Sequence, residues 1–249
     1  MIPYIQTPWG PLYTYTIMVI IGVLSMLWQV HMEIKKSSSR DAEEGFIFPR
    51  IVAAGMVGFI SSAVFDALFK IREKGMFVVS GITFYGGLIG AVTGLYLILK
   101  VSRQKTEYSE KAWFDLLTVP FILFHICGRI GCFLGGCCYG KVTESSLGVV
   151  FPDNIEQGII HGGVKRYPTQ LFEVAALLLI LFVILHIREK FIAYLLLYAI
   201  ARFFIEFLRG DDRGYILEGI SPAQFVSVGI VFCIIIYRII QNKKTNCRR

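Results

Sequence analysis

The sequence predicts an all-α, polytopic membrane protein with about seven transmembrane helices, and three observations carry that prediction. The first is composition. The 249 residues are 55% hydrophobic and only 17% charged, with a mean hydropathy of +0.62, whereas water-soluble domains are about 45–50% apolar and about 25% charged. The second is run length, since a helix needs roughly 20 apolar residues to cross a bilayer. Runs of that kind recur at about 11–32, 47–69, 78–100, 112–134, 171–187, 191–208 and 222–240. The third is the placement of basic residues, which collect in alternate connections.

Taken in order, the first run follows residues 1–10, which hold no Lys or Arg and lead into no small-residue cleavage motif. It is therefore expected to remain as a span and not to leave as a signal peptide. The connection 33–45 carries Lys35, Lys36 and Arg40. The connection 100–111 carries Lys100, Arg103, Lys105 and Lys111, and 186–190 carries Arg188 and Lys190. The tail, 241-QNKKTNCRR-249, is basic as well. These alternate with the N-terminus, 70–76, 139–169 and 209–220. Positively charged loops stay in the cytoplasm, so the expected topology has the N-terminus outside and the C-terminus inside. One outer connection, 70-KIREKG-75, runs against this bias with three basic residues.

The formal net charge of +7 thus reads as topology and as attraction to anionic lipid. Its dispersal among loops argues against a nucleic-acid surface. No internal repeat is visible, and 37-SSS-39 is too short to separate domains. The expected organisation is a single transmembrane domain over 1–249 with an extracytoplasmic head segment at about 139–169, containing 148-GVVFPD-153 and 161-HGGVKRYP-168. That segment is too short for an independent domain.

Charged side chains at membrane depth cost ~2.5–3.5 kcal/mol or more on insertion scales, so those inside the runs need a partner or a task. The fourth run holds His125, Arg129 and Cys132, whose spacing of i, i+4, i+7 puts them on one helical face. The sixth holds Arg202, Glu206 and Arg209 with the same spacing. The fifth opens with Gln170 and Glu173 in 166-RYPTQLFE-173, where Pro168 suits a first helical turn. Two arginine stripes in a bilayer point to a held anion. A phospholipid phosphate is the natural one, gripped by the guanidinium fork. Plainer readings stand beside this: Arg202–Glu206 as an intrahelical ion pair, and Arg129 snorkelling to the interface. Gly128 and Gly131 flank Arg129 and let backbone or ligand approach closely. His31, His161 and His186 read as surface residues, and Cys127, Cys233 and Cys247 as small apolar or tail residues.

Four segments in register resemble the bacterial prolipoprotein diacylglyceryl transferases. The segment 81-GITFYGGLIG-90 is similar to the family's HGGLIG, and 128-GRIGCFLGGCCYG-140 to its GRxGNFxNxExxG signature. Likewise 168-PTQLFE-173 resembles HPxQLYE, and 202-RFFIEFLRG-210 with 221-SPAQ-224 resembles RFxxEFxR and SxxQ. Tyr15, in 13-YTYT-16, sits where the family has a first-span tyrosine. The resemblance implies a multi-pass enzyme of the bacterial inner membrane. It would move a diacylglyceryl group from phosphatidylglycerol, or a related anionic phospholipid, to the cysteine thiol of a lipoprotein precursor or another thiol acceptor. No cofactor is implied. Carried over by position, Arg129 and Arg202 are the phosphate clamps and Tyr85 stands at the family's acid–base position; His125, from its own place one turn before Arg129, completes the candidate catalytic set. The substrate-binding set is Tyr15, Gly86, Gly87, Gly128, Gly131, Cys132, Gln170, Glu173, Glu206 and Arg209.

The departures are specific. The HGGLIG histidine is Tyr85 here, a poor base near neutrality though a fair hydrogen-bond donor. The signature asparagine is Cys132, the signature glutamate is Cys137, and the HPxQLYE histidine is Tyr167. His125, one turn before Arg129, is a candidate to take over proton transfer, against a purely structural role. Cys132, Cys137 and Cys138 allow three readings: a disulfide of Cys132 with Cys137 or Cys138 on the oxidising face, a metal site with His125 as fourth ligand, or a nucleophile. The C-x4-C-C spacing lacks the usual zinc knuckle, so no metal is expected. A nucleophilic cysteine suits acyl transfer, because an alkylated sulfur is a stable thioether. Two other functions remain open: the same scaffold with a different acceptor, and a non-catalytic lipid-binding or transport protein.

Overall fold

The computed structural model describes residues 2–35, 40–74, 83–102, 106, 108–153, 162–210 and 219–246. His161 and Cys247, Gly81 and Ile82 of the glycine-rich segment, and residues 154–160 of the expected head lie outside them. Among the described residues the order is β1 (Tyr4–Thr7), β2 (Gly10–Tyr13), α1 (Thr14–Ile34), α2 (Arg40–Lys74), α3 (Phe84–Val101) and α4 (Glu110–Gly135). There follow β3 (Val149–Val150), β4 (Lys165–Arg166), α5 (Thr169–Ile184), α6 (Lys190–Glu206) and α7 (Pro222–Asn246).

Every expected span corresponds to a helix. Among the described residues five segments are long and apolar enough to cross a membrane: Thr14–Ile34, Glu43–Leu68, Phe84–Val101, Glu110–Gly135 and Pro222–Lys243. Helices α5 and α6 have 16 and 17 residues, about 24–26 Å at 1.5 Å per residue, a little short of a ~30 Å hydrocarbon core. Residues 11–13 are not the start of a span. They pair with 4–6 in an antiparallel hairpin, Tyr4 opposite Tyr13, because Gly10 at φ 120° turns the chain back. Helix α1 starts only at Thr14, whose hydroxyl donates to the Ile2 carbonyl at 2.7 Å.

The chain divides into two compact units, Met1–Met26 with Thr118–Arg249, and Leu27–Leu117. In each, large apolar side chains face outward while polar groups are buried, the arrangement a lipid solvent selects. Trp28 and Phe59 are about two-thirds exposed in one unit, and Phe182 and Phe232 in the other.

Within Leu27–Leu117, α2 and α3 pack along a stripe of small residues. A Cβ on Gly86 would lie 2.6 Å from Phe65 Cβ, one on Gly94 3.1 Å from Val57 Cβ, and one on Gly90 would collide with Ser61. The spacing of four puts these glycines on one face, the close-approach device of membrane helices. Gly90→Leu is therefore expected to cost about 1–3 kcal/mol through overpacking. It should read as a lowered melting temperature in detergent, whereas Gly55→Leu, which meets open space, should leave the melt unchanged. At one end of this unit Trp113 is fully buried and stacks on Phe46 with ring centroids 6.1 Å apart. Its indole N–H donates to Thr106 Oγ1 at 3.2 Å, and that hydroxyl donates to the buried Glu43 carboxylate at 2.6 Å.

Candidate active site

In the unit formed by Met1–Met26 and Thr118–Arg249, a short backbone ladder fixes the ends of three helices. Helix α4 stops at a glycine cap. Gly136, at φ 75°, donates its N–H to the Phe133 carbonyl at 3.3 Å, and the Cys137 N–H reaches the Cys132 carbonyl at 3.1 Å. This pair of bonds satisfies carbonyls that a helix end leaves unpaired. The strand that follows runs between two others. Gly140 N–H donates to Tyr167 C=O at 2.8 Å, Lys141 N–H to Leu208 C=O at 2.8 Å, and Gly210 N–H to Tyr139 C=O at 3.1 Å. A Cβ on Gly140 would lie 2.6 Å from the Tyr167 carbonyl oxygen, so only glycine permits this approach. The β3–β4 pair extends the same patch, Val149 opposite Arg166. The end of α4, the start of α5 and the end of α6 are thereby held in one register.

Below the ladder the polar residues of the three helices meet. Arg129 on α4 pairs through Nε with Glu173 Oε1 on α5 at 2.9 Å. Tyr198 on α6 donates its hydroxyl to the same oxygen at 2.6 Å. Arg129, 7% exposed, and Glu173, 1% exposed, are too buried for the snorkelling alternative. The Arg129 Nε–H also faces His125 Nε2 at 3.4 Å, and His125 Nδ1 lies 3.2 Å from the Tyr194 hydroxyl. The tautomer in which Nε2 accepts and Nδ1–H faces the Tyr194 hydroxyl fits both contacts. Its ring meets that of Tyr198 edge-on at 4.9 Å.

On α6, Arg202 pairs with Glu206 Oε2 at 2.5 Å, and Arg209 Nε lies 3.8 Å from that oxygen. The intrahelical pair anticipated as a plain alternative is thus present. Among the described residues Arg202, Glu206 and Arg209 gather at the end of α6, while Arg129 pairs with Glu173. Gln170, 1% exposed, donates its amide to the Cys137 carbonyl at 2.5 Å, and its own buried Oε1 has no hydrogen-bond partner among the described residues. Thr169 Oγ1 donates to the Cys138 carbonyl at 2.8 Å. Pro168 sits at the N-cap of α5, one position before the first turn expected for it.

Other anticipated residues are placed as follows. Tyr15 packs on Gly131, where a Cβ would meet its ring at 3.2 Å and Met18 Cβ at 3.0 Å. Gly128 faces open space. Cys132, Cys137 and Cys138 carry thiols whose sulfurs all lie within 4.8 Å of one another. In the other unit, Tyr85 is buried, with its ring 5.8 Å from that of Phe84, and Gly86 and Gly87 lie on the α2–α3 seam. Sequence reasoning missed Tyr194 and Tyr198. The signal was available: Tyr194, Tyr198, Arg202 and Glu206 recur at every fourth position, which aligns them along α6.

Buried arginine–carboxylate pairs on apolar helices are the arrangement of a membrane protein with a polar interior. The family model for prolipoprotein diacylglyceryl transferase matches residues 4–240, so the chain belongs to that family of transferases. It is 30% identical to the phosphatidylglycerol–prolipoprotein diacylglyceryl transferase 2 of Clostridium perfringens, over 88% of this chain and 87% of the relative. It is 29% identical to the phosphatidylglycerol–prolipoprotein diacylglyceryl transferase of Clostridium tetani, over 94% and 95%. A Dehalococcoides mccartyi enzyme of that name is 26% identical, over 93% and 91%.

Proposed function

We propose that this chain transfers the diacylglyceryl group of phosphatidylglycerol to the thiol of a cysteine in a lipoprotein precursor, releasing glycerol phosphate. The observation that carries this is the burial of Arg129, Arg202 and Arg209 among apolar helices in a family member. In a site shielded from water each guanidinium stabilises phosphate charge far more than it would at a surface. Glu173 and Tyr198 hold Arg129 in place, and Glu206 does so for Arg202. Tyr15, Gly128, Gly131 and Gln170 border the lipid headgroup in this reading. Seven spans, an outside N-terminus, an outer head over 139–169 and the bacterial cytoplasmic membrane complete the reading, on the charge pattern of the loops.

His125 is the proton acceptor in this scheme. The 3.4 Å contact from Arg129 to its Nε2 is the longer of two shared by one N–H, so it yields readily to an incoming thiol. The His125→Gln variant is expected to slow transfer by about 10²–10⁴-fold, read as peptide lipidation under single-turnover conditions. The reaction itself is tested by complementing a bacterium depleted of its own transferase. Growth and restored lipoprotein processing are expected. Failure of the well-expressed protein to rescue either would overturn the lipoprotein reading.

A further inference from the structure

We propose that Cys132, Cys137 and Cys138 form a three-thiolate site for a zinc-class ion, whose open fourth position receives the acceptor cysteine's thiolate. The sequence spacing argued against a metal because no C-x2-C knuckle is present. The fold supplies the convergence in another way. In the glycine cap that ends α4, the residue whose carbonyl closes the cap and the second residue past the helix end approach through their side chains. Here those two residues are Cys132 and Cys137. Cys138, at φ 62°, turns the chain again and brings in the third sulfur. All three sulfurs lie within 4.8 Å of one another. A tetrahedral ion with Zn–S bonds of about 2.3 Å sets its sulfurs about 3.8 Å apart. Side-chain rotation alone closes a gap of that size, while the backbone stays pinned by Gln170 on the Cys137 carbonyl and Thr169 on that of Cys138.

The cluster is buried at Cys132 and half-buried at Cys137 and Cys138, so it is enclosed on one side and approachable on the other. His125 is not a fourth ligand. It lies seven residues from Cys132, about 10 Å along the helix, and is engaged with Tyr194 and Arg129. Three protein ligands and one open position is the pattern of ions that act on substrates, whereas structural zinc is closed by four.

The role of the open position rests on the transferase reading above. An acceptor thiol with an ordinary pKa of about 8.5 is mostly protonated near neutrality. On binding the ion it releases its proton to solvent and stays a thiolate. Its sulfur then forms the S–C bond to the glycerol carbon as the C–O bond to phosphate breaks. The electron pair of that bond leaves with glycerol phosphate, which the arginines hold. Cys132 is three residues after Arg129 and on the same face of α4.

The test uses the full chain in lipid nanodiscs, reduced and stripped of metal. Titration with Cd²⁺ should raise an ultraviolet thiolate-to-metal band that saturates at an equimolar ion. Cys132→Ser and the double change Cys137→Ser with Cys138→Ser should abolish it, with melting temperature checking the fold. Cys127→Ser with Cys233→Ser should retain it. In the Co²⁺ form, an acceptor peptide bearing cysteine should shift the charge-transfer spectrum, and its serine counterpart should not. Absence of the band, or a band indifferent to the three cysteines, overturns the site. A spectrum unmoved by the cysteine peptide, in a preparation that lipidates that peptide, overturns the acceptor position. A chain that binds the ion but transfers nothing sinks the transferase reading and leaves the ion site standing.

Discussion

Arg129→Ala is expected to lower diacylglyceryl transfer by about 100- to 1000-fold, the usual loss when one donor to developing charge is removed. The same change should destabilise the chain by about 3–5 kcal/mol, because it strands a buried carboxylate. Glu173 would keep Tyr198 as a donor at 2.6 Å but lose the guanidinium at 2.9 Å. Two companion variants separate the effects. Arg129→Lys keeps the charge and loses the planar fork, so it should recover much of the melting temperature and little of the rate. Arg129→Met with Glu173→Leu removes both charges, and it should fold about as well as the parent while remaining inactive. Glycerol phosphate release in nanodiscs and a detergent melt measure the two quantities on the same preparations. Full activity in Arg129→Lys would show that charge alone suffices at this position.

The second large effect is expected on α6. If Arg202 and Glu206 were only an intrahelical pair, replacing both by apolar residues would be harmless, since buried ion pairs often exchange for hydrophobic side chains at no cost in stability. The double variant Arg202→Met with Glu206→Leu should indeed retain its melting temperature within about 1 kcal/mol. It should nevertheless lose transfer by about 100-fold or more, and its apparent affinity for anionic donor lipid should fall with it. Normal transfer by this variant would return Arg202 to a structural role.

How far these features could be read in advance depended on periodicity. The apolar runs place every helix, because membrane length and the 3.6-residue turn constrain a span strongly. Glu173 and Arg129 stood out for their cost in a bilayer. Their partnership did not, since it joins two helices through a ladder of backbone bonds at Gly140, Tyr167 and Leu208 that leaves no side-chain pattern. Tyr194 and Tyr198 passed as ordinary aromatic residues of an apolar helix, their role visible only once Glu173 and His125 face them. The hairpin at Tyr4–Tyr13 was hidden for a related reason: Leu12 and Tyr13 are as apolar as the span they precede, and only the turn at Gly10 separates them. The convergence of Cys132 and Cys137 came from cap geometry, which spacing rules for metal knuckles do not encode.

The central claim is that a buried arginine cluster presents phospholipid phosphate to an acceptor thiol. It is tested most directly by incubating the purified chain in phosphatidylglycerol nanodiscs with a lipoprotein-precursor peptide and measuring the peptide's intact mass. The account predicts a gain equal to one diacylglyceryl group, absent with a Cys→Ser peptide, absent in nanodiscs of phosphatidylcholine alone, and strongly reduced in Arg129→Ala. An unmodified peptide, or one modified equally with Arg129→Ala, would contradict it.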